Sequence, residues 1–164
     1  MELILVRHGQ AEEGGNRLND AQRELTKEGK RSARQSAKAL ERYLPPKARL
    51  SLWSSPLIRA RQTAQIIAKI LDHDDITELE CIGSGDLAGL TRELIGLAKD
   101  DTCVIVVGHE PHLSTWSQQI CGLSLPFGKG SAAGITLFDT ERPSGKLLWF
   151  FRAEAIDREK KSRA

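Results

Sequence analysis

Cys103-Val104-Ile105-Val106-Val107 is an unbroken apolar run, four of its five residues aliphatic and all but one of these β-branched valine. A strand of that kind has no polar face to turn to water. It must be covered on both sides, as happens when helices pack against both faces of a parallel sheet. Leu3 to Val6 reads as a first strand and Leu50 to Trp53 as a second. Gly134 to Phe138 and Lys146 to Phe151 read as two last strands, with Pro143, Ser144 and Gly145 in the turn between them.

Between these runs the apolar spacing changes to that of a helix. Thr26 is placed to cap a helix whose stripe passes through Ala33, Ala37, Leu40 and Leu44 and stops at Pro45 and Pro46. Ser55 is placed to cap a second, with Pro56 at its first position and Ala60, Ala64, Ile67 and Leu71 on one face. Asp86 to Ala98 predicts a third helix and His112 to Cys121 a fourth. No repeat, linker or low-complexity stretch divides the 164 residues. The expected fold is a single-domain, three-layer α/β/α sandwich with a mostly parallel central sheet. Residues 1–156 would form the domain, and 157–164 a charged, frayed tail.

Charge and cysteine content narrow the function. With 24 basic and 22 acidic residues the formal charge is +2, too small and too dispersed for a nucleic-acid or membrane surface. Cys81, Cys103 and Cys121 are widely spaced, which predicts neither a disulfide framework nor a cysteine metal site and fits a reducing cytoplasm. The first residues lack the pattern of a secretory leader, and no apolar run approaches the ~20 residues that span a bilayer.

Three strands end in polar signatures: ILV-RHG, LSLW-SSP and VIVV-GHE. Ligands of open α/β sheets bind beyond the carboxyl ends of the strands, so Arg7, His8, Arg59 and His109 are expected around one cavity. Two guanidinium groups and two imidazoles there repel one another unless an anion joins them, and phosphate is the natural candidate. Arg7 and Arg59 would clamp its oxygens with planar forks of donors. Arg59, in the first turn of its helix, adds the field of the helix N-terminus.

Among those cations His8 would stay neutral, with a ring nitrogen free to attack phosphorus. The Gly9 backbone could fix its tautomer, and His109 would donate to the transferring oxygens. No metal or other cofactor is required by such a site. A histidine at a strand end is commonly just a polar cap, and an arginine in a first helical turn commonly just solvated, as Arg61 is expected to be. The coincidence of four such residues outweighs that.

Other patterns fall short. GLSLPFGKG has the wrong glycine spacing for a phosphate loop and Gly130 where a hydroxyl residue should stand, so its glycines are expected to shape a loop at the pocket rim. GSGDLAG lacks the dinucleotide spacing. His112 in HEPH does not match a zinc helix, and His73 beside Asp72, Asp74 and Asp75 reads as surface.

RHG after the first strand, RELTKEG opening the first helix, SSPLIRARQTA on the second and VVGHEP after the buried strand together resemble the histidine phosphatase superfamily. The length and the lack of a sizeable insertion after the second helix are most similar to its short branch, the SixA-type phosphohistidine phosphatases. The resemblance spans about Met1 to Leu148. It implies transfer of phosphate to His8 followed by hydrolysis, with Arg7, His8, Arg59 and His109 as the phosphate pocket.

In larger members a glutamate from the insertion protonates the leaving group. Here TELECIGSGD offers Glu80, Glu78 or Asp86, of which Glu80 is preferred. An imidazole leaving group needs less acid help than an alkoxide, so the expected substrate is phosphohistidine on a protein, for example a signalling protein carrying that group. A small phosphate ester is the first alternative and a noncatalytic phosphoprotein-binding module the second. A phosphoglycerate mutase is disfavoured by the short chain.

Overall fold

Strand β1 (Glu2–Arg7) sends its side chains alternately into two apolar layers. Leu3 and Leu5 enter one, Ile4 and Val6 the other, and all four are fully buried. Strand β4 (Thr102–Gly108) is buried along its whole length and repeats the division, with Val104 and Val106 opposed to Cys103, Ile105 and Val107. The structure is a computed structural model and describes residues 1–14, 19–97 and 99–164.

The sheet has six strands in the order β3-β2-β4-β1-β5-β6. Strands β2 (Arg49–Ser54), β3 (Ile76–Glu78), β4 and β1 run parallel, whereas β5 (Ala132–Asp139) and β6 (Ser144–Phe151) add an antiparallel edge. Helices α1 (Lys27–Leu40) and α2 (Ile58–Ile70) cover one face through Ala37, Leu40, Ala60, Ala64 and Ile67. Helices α3 (Glu80–Ser84), α4 (Leu87–Leu97) and α5 (His112–Cys121) cover the other through Ile82, Leu90, Leu94, Leu113 and Trp116. This is the three-layer sandwich expected. Complete burial of each Leu or Ile contributes about 1.5–3 kcal/mol, so β1 and β4 form a rigid platform at the centre of the sheet.

The register sets the site. Arg7 lies opposite Gly108, and Ser54 opposite Val107. The residues that follow, His8, His109 and Ser55, therefore leave the same edge of the sheet side by side.

Several boundaries differ from expectation. Thr26 does cap α1, accepting from the Gly29 N–H at 3.0 Å, but the helix ends at Leu40 and Leu44 packs against the same layer from a turn. Helix α2 begins at Ile58 with Leu57 at its cap position, so Pro56 precedes the helix. Ser55 accepts from the Leu57 N–H at 3.2 Å and its hydroxyl is otherwise engaged by the site. Helix α4 starts after Asp86, whose Oδ1 accepts from the Gly89 N–H at 3.0 Å; Ala98, its expected end, lies outside the described residues. Strand β3 and helix α3 were not anticipated in TELECIGSGD. The charged end of the chain is helical as α6 (Ala153–Arg163), against α1, rather than frayed from Asp157.

Candidate active site

The His8 ring stands 5.0 Å from that of His109, centroid to centroid. Each of these residues is 6% exposed, as is Arg59. His8 Nδ1 lies 2.6 Å from the Gly9 carbonyl oxygen. A carbonyl can only accept, so Nδ1 carries the proton and Nε2 the lone pair. Arg59 Nε, which can only donate, meets that Nε2 at 3.3 Å, consistent with the same tautomer.

The loop after His8 is held by backbone contact. Gly9 N–H donates to Thr63 Oγ1 at 3.1 Å, and Thr63 Oγ1 donates to the Arg59 carbonyl at 2.8 Å, so α2 fixes the loop and its own arginine together. A Cβ on Gly9 would come 2.6 Å from the Gly29 carbonyl oxygen, which ties the RHG turn to the start of α1. On the other side Arg7 donates through Nη1 to the Phe127 carbonyl at 2.8 Å. The Gly130 N–H approaches the Arg7 and His8 carbonyls, each at 3.2 Å. Gly130, with a φ of 76° that suits glycine, thus shapes the rim, whereas Gly122 caps the end of α5.

His109 Nε2 lies 2.7 Å from Ser55 Oγ. The hydroxyl already accepts from Leu57, and among the described residues its proton has no other acceptor than this nitrogen. With Ser55 donating, His109 bears its proton on Nδ1. That atom is buried and, among the described residues, has no hydrogen-bond partner; the same holds for Arg7 Nε. Buried polar atoms are nearly always paired, so two such orphans in residues flanking His8 mark where an acceptor belongs.

Burial pushes the His8 imidazole down to about 3, with His109, Arg59 and Arg7 adding to the shift and the Gly9 carbonyl opposing it. Burial likewise pushes His109 down to about 4, reinforced by Arg59, His112 and Arg7 and opposed by Asp20. Burial lowers the Arg7 guanidinium from its ordinary value while Glu110 acts against it. At neutral pH the site thus holds two cations beside two neutral imidazoles, a donor set for an oxyanion with an unprotonated ring nitrogen within it.

All four residues singled out from sequence, Arg7, His8, Arg59 and His109, meet at this edge. The carboxylates named for proton donation are employed elsewhere or exposed. Glu78 pairs with Arg61 at 2.6 Å. Asp86 caps α4 and lies 3.7 Å from Arg92. Glu80 is exposed in the first turn of α3.

Sequence reasoning missed Asp20, in a 3₁₀ turn (Asp20–Gln22) between β1 and α1. Its carbonyl accepts from Arg59 Nη1 at 2.8 Å and its Oδ2 from Arg59 Nη2 at 3.1 Å. No periodicity or motif marked it. Thr63 and Ser55 lay inside SSPLIRARQTA, where only the arginine had been assigned to the site.

The model of the histidine phosphatase superfamily, branch 1, matches residues 3–101, more than half of the chain. The chain belongs to that superfamily. A protein of Picosynechococcus sp. without an assigned function is 31% identical over 126 residues, 73% of each chain. Among solved structures, that of the protein histidine phosphatase SixA complexed with tungstate superposes with a TM-score of 0.82 at 23% identity, over 95% of this chain and 99% of that one. A SixA protein of Nakamurella multipartitia gives 0.76 at 20% identity, covering 92% and 95%. The mycobacterial glucosyl-3-phosphoglycerate phosphatase gives 0.70 at 18% identity, covering 90% and 97%. At these identities the structures establish a SixA-like fold. Superfamily membership together with phosphatases among these neighbours supports phosphatase activity through histidine.

Proposed function

We propose that this protein is a metal-independent phosphatase that passes phosphate through His8, acting on phosphohistidine carried by a protein. The observation that carries the mechanism is the pair of neutral imidazoles at 5.0 Å, one with an unprotonated Nε2 that accepts from Arg59 and the other with a buried Nδ1 that has no partner among the described residues. In the first displacement the His8 Nε2 lone pair forms a bond to phosphorus, and the bond to the leaving group breaks with its electron pair going to that group. Arg7 and Arg59 hold the phosphoryl oxygens, and His109 Nδ1–H donates to the charge that develops there. In the second, water attacks phosphorus, the bond to Nε2 breaks, and inorganic phosphate leaves with one proton released.

The substrate class is supported by how the nearby carboxylates are used. A departing alkoxide needs a proton donor, whereas Glu78 and Asp86 are committed to Arg61 and to the cap of α4. A phosphorylated imidazole arrives with its second ring nitrogen able to hold a proton already. Cys81, Cys103 and Cys121, all free thiols, suit the reducing cytoplasm in which we place such a signalling reaction.

The test uses a histidine-phosphorylated protein, p-nitrophenyl phosphate and a panel of sugar phosphates, all in EDTA. Phosphate release from the first two is expected, with an acid-labile phosphoryl label on the protein after rapid quenching. His8→Ala should lose the label and reduce turnover on the order of 10³-fold or more. Release that requires a divalent metal ion, or that persists in His8→Ala, contradicts the mechanism. A preference for sugar phosphates by orders of magnitude contradicts the substrate class alone.

A further inference from the structure

We infer that Asp20 is a specificity-determining residue: its carboxylate accepts the ring N–H of the departing imidazole and so selects phosphohistidine over phosphate esters. The inference rests on the phosphohistidine chemistry proposed above. Its geometric basis is the position of Arg59 between the two groups. The guanidinium meets the nucleophilic His8 Nε2 through Nε at 3.3 Å. At its outer edge Nη2 meets Asp20 Oδ2 at 3.1 Å. Arg59 thus touches both the attacking nitrogen and the carboxylate, which places Asp20 beside the phosphoryl group that the guanidinium would hold. His8 and Arg59 are buried, but the Asp20 side chain is 65% exposed. It stands at the solvent-facing end of the pair, where a substrate on a protein can reach it.

The state of the carboxylate determines which leaving group it serves. Oδ1 receives Arg23 Nε at 3.0 Å and Oδ2 receives Arg59. Partial burial works against ionisation here, but the bonds to Arg23 and the charge of Arg59 outweigh it and hold the carboxyl below the usual carboxylate range. Asp20 is thus an acceptor at neutral pH and a poor proton donor. An alkoxide gains nothing from it. A phosphorylated imidazole carrying a proton on its distal nitrogen has an N–H to give, and a carboxylate has lone-pair sites beyond those the arginines use. That contact stabilises the imidazolium form. When the phosphorus–nitrogen bond breaks, its electron pair returns to the ring nitrogen, which leaves as neutral imidazole with the distal proton in place.

Asp20→Asn separates this role from support of Arg59, because the Asp20 carbonyl still receives Arg59 Nη1. We expect kcat/KM for a histidine-phosphorylated protein to fall by about tenfold or more, the effect of losing a hydrogen bond to a charged group. For p-nitrophenyl phosphate, whose leaving group needs no proton, the change should stay within about threefold. Tungstate binding, followed by calorimetry, should be retained. Equal losses on both substrates would assign Asp20 to positioning Arg59 and overturn the inference, as would no loss on either. A wild-type protein that turns over p-nitrophenyl phosphate but not phosphohistidine fails the proposed substrate class instead, before the variant is compared.

Discussion

His8 donates through Nδ1 to Gly9, His109 accepts through Nε2 from Ser55, and these two bonds decide what each imidazole offers a phosphoryl group. The first leaves a lone pair on Nε2 and the second a proton on Nδ1. Ser55 is fully buried, so its hydroxyl has no water to fall back on. Ser55→Ala should release His109 to either tautomer and reduce kcat about tenfold, with a smaller change in KM. The 15N chemical shifts of the His109 ring should lose the Nδ1–H signature; an unchanged spectrum would remove Ser55 from this role. The residue types of the site were legible in the sequence because each follows a strand or starts a helix. Ser55 was legible only as a cap, since the partner of a hydroxyl 54 residues away is set by sheet register.

At the scale of elements, the turn after β1 and the first turn of α1 are packed backbone to backbone. A Cβ on Gly29 would lie 2.0 Å from the Gln10 carbonyl oxygen. Alanine in a helix ordinarily gains up to about 1 kcal/mol over glycine. At Gly29 the contact is with backbone that cannot rotate away, so the clash wins. Gly29→Ala should cost about 1–3 kcal/mol and shift the RHG turn, lowering activity. Gly96→Ala in α4, where a Cβ meets nothing within 4 Å, should be neutral or stabilising. Urea unfolding of the two variants checks the contrast. Helix starts marked by side-chain chemistry, such as Thr26, were legible. The end of α1 was not, because Leu44 joins the core stripe after the chain has left the helix. The break between α3 and α4 at Gly85, with a φ of 77°, is held by Trp116, whose Nε1–H donates to the Gly85 carbonyl at 3.3 Å from 31 residues away.

For the whole molecule, the buried imidazoles link folding to pH. His8 and His109 titrate at about 3 and about 4 in the folded chain, below their ordinary 6.5. Between those values the unfolded chain binds more protons. The contribution of these groups is therefore complete above about 6.5 and is lost as pH falls toward about 4 and then about 3. The urea midpoint of the wild-type protein should decline from pH 7 to pH 4.5, and that of His109→Gln should decline less steeply. Equal slopes would mean that His109 is not held neutral. The three layers were foreseeable from the alternation of strand and helix patterns. The placement of β5 and β6 as an antiparallel edge beyond β1 was not, because two terminal strands with a tight turn can join either side of a sheet.

The sequence by itself determined the two-sided burial of β4, the alternation of helices with strands, and the presence of arginine and histidine at strand and helix ends. All of these follow from local periodicity and from which side chains water will accept. Tertiary structure alone decided that Arg7 would lie level with Gly108 and Ser54 with Val107. It also decided that Asp20 would come to rest on Arg59. These are outcomes of strand register and loop path, fixed by how distant segments pack and not by any residue's own preference.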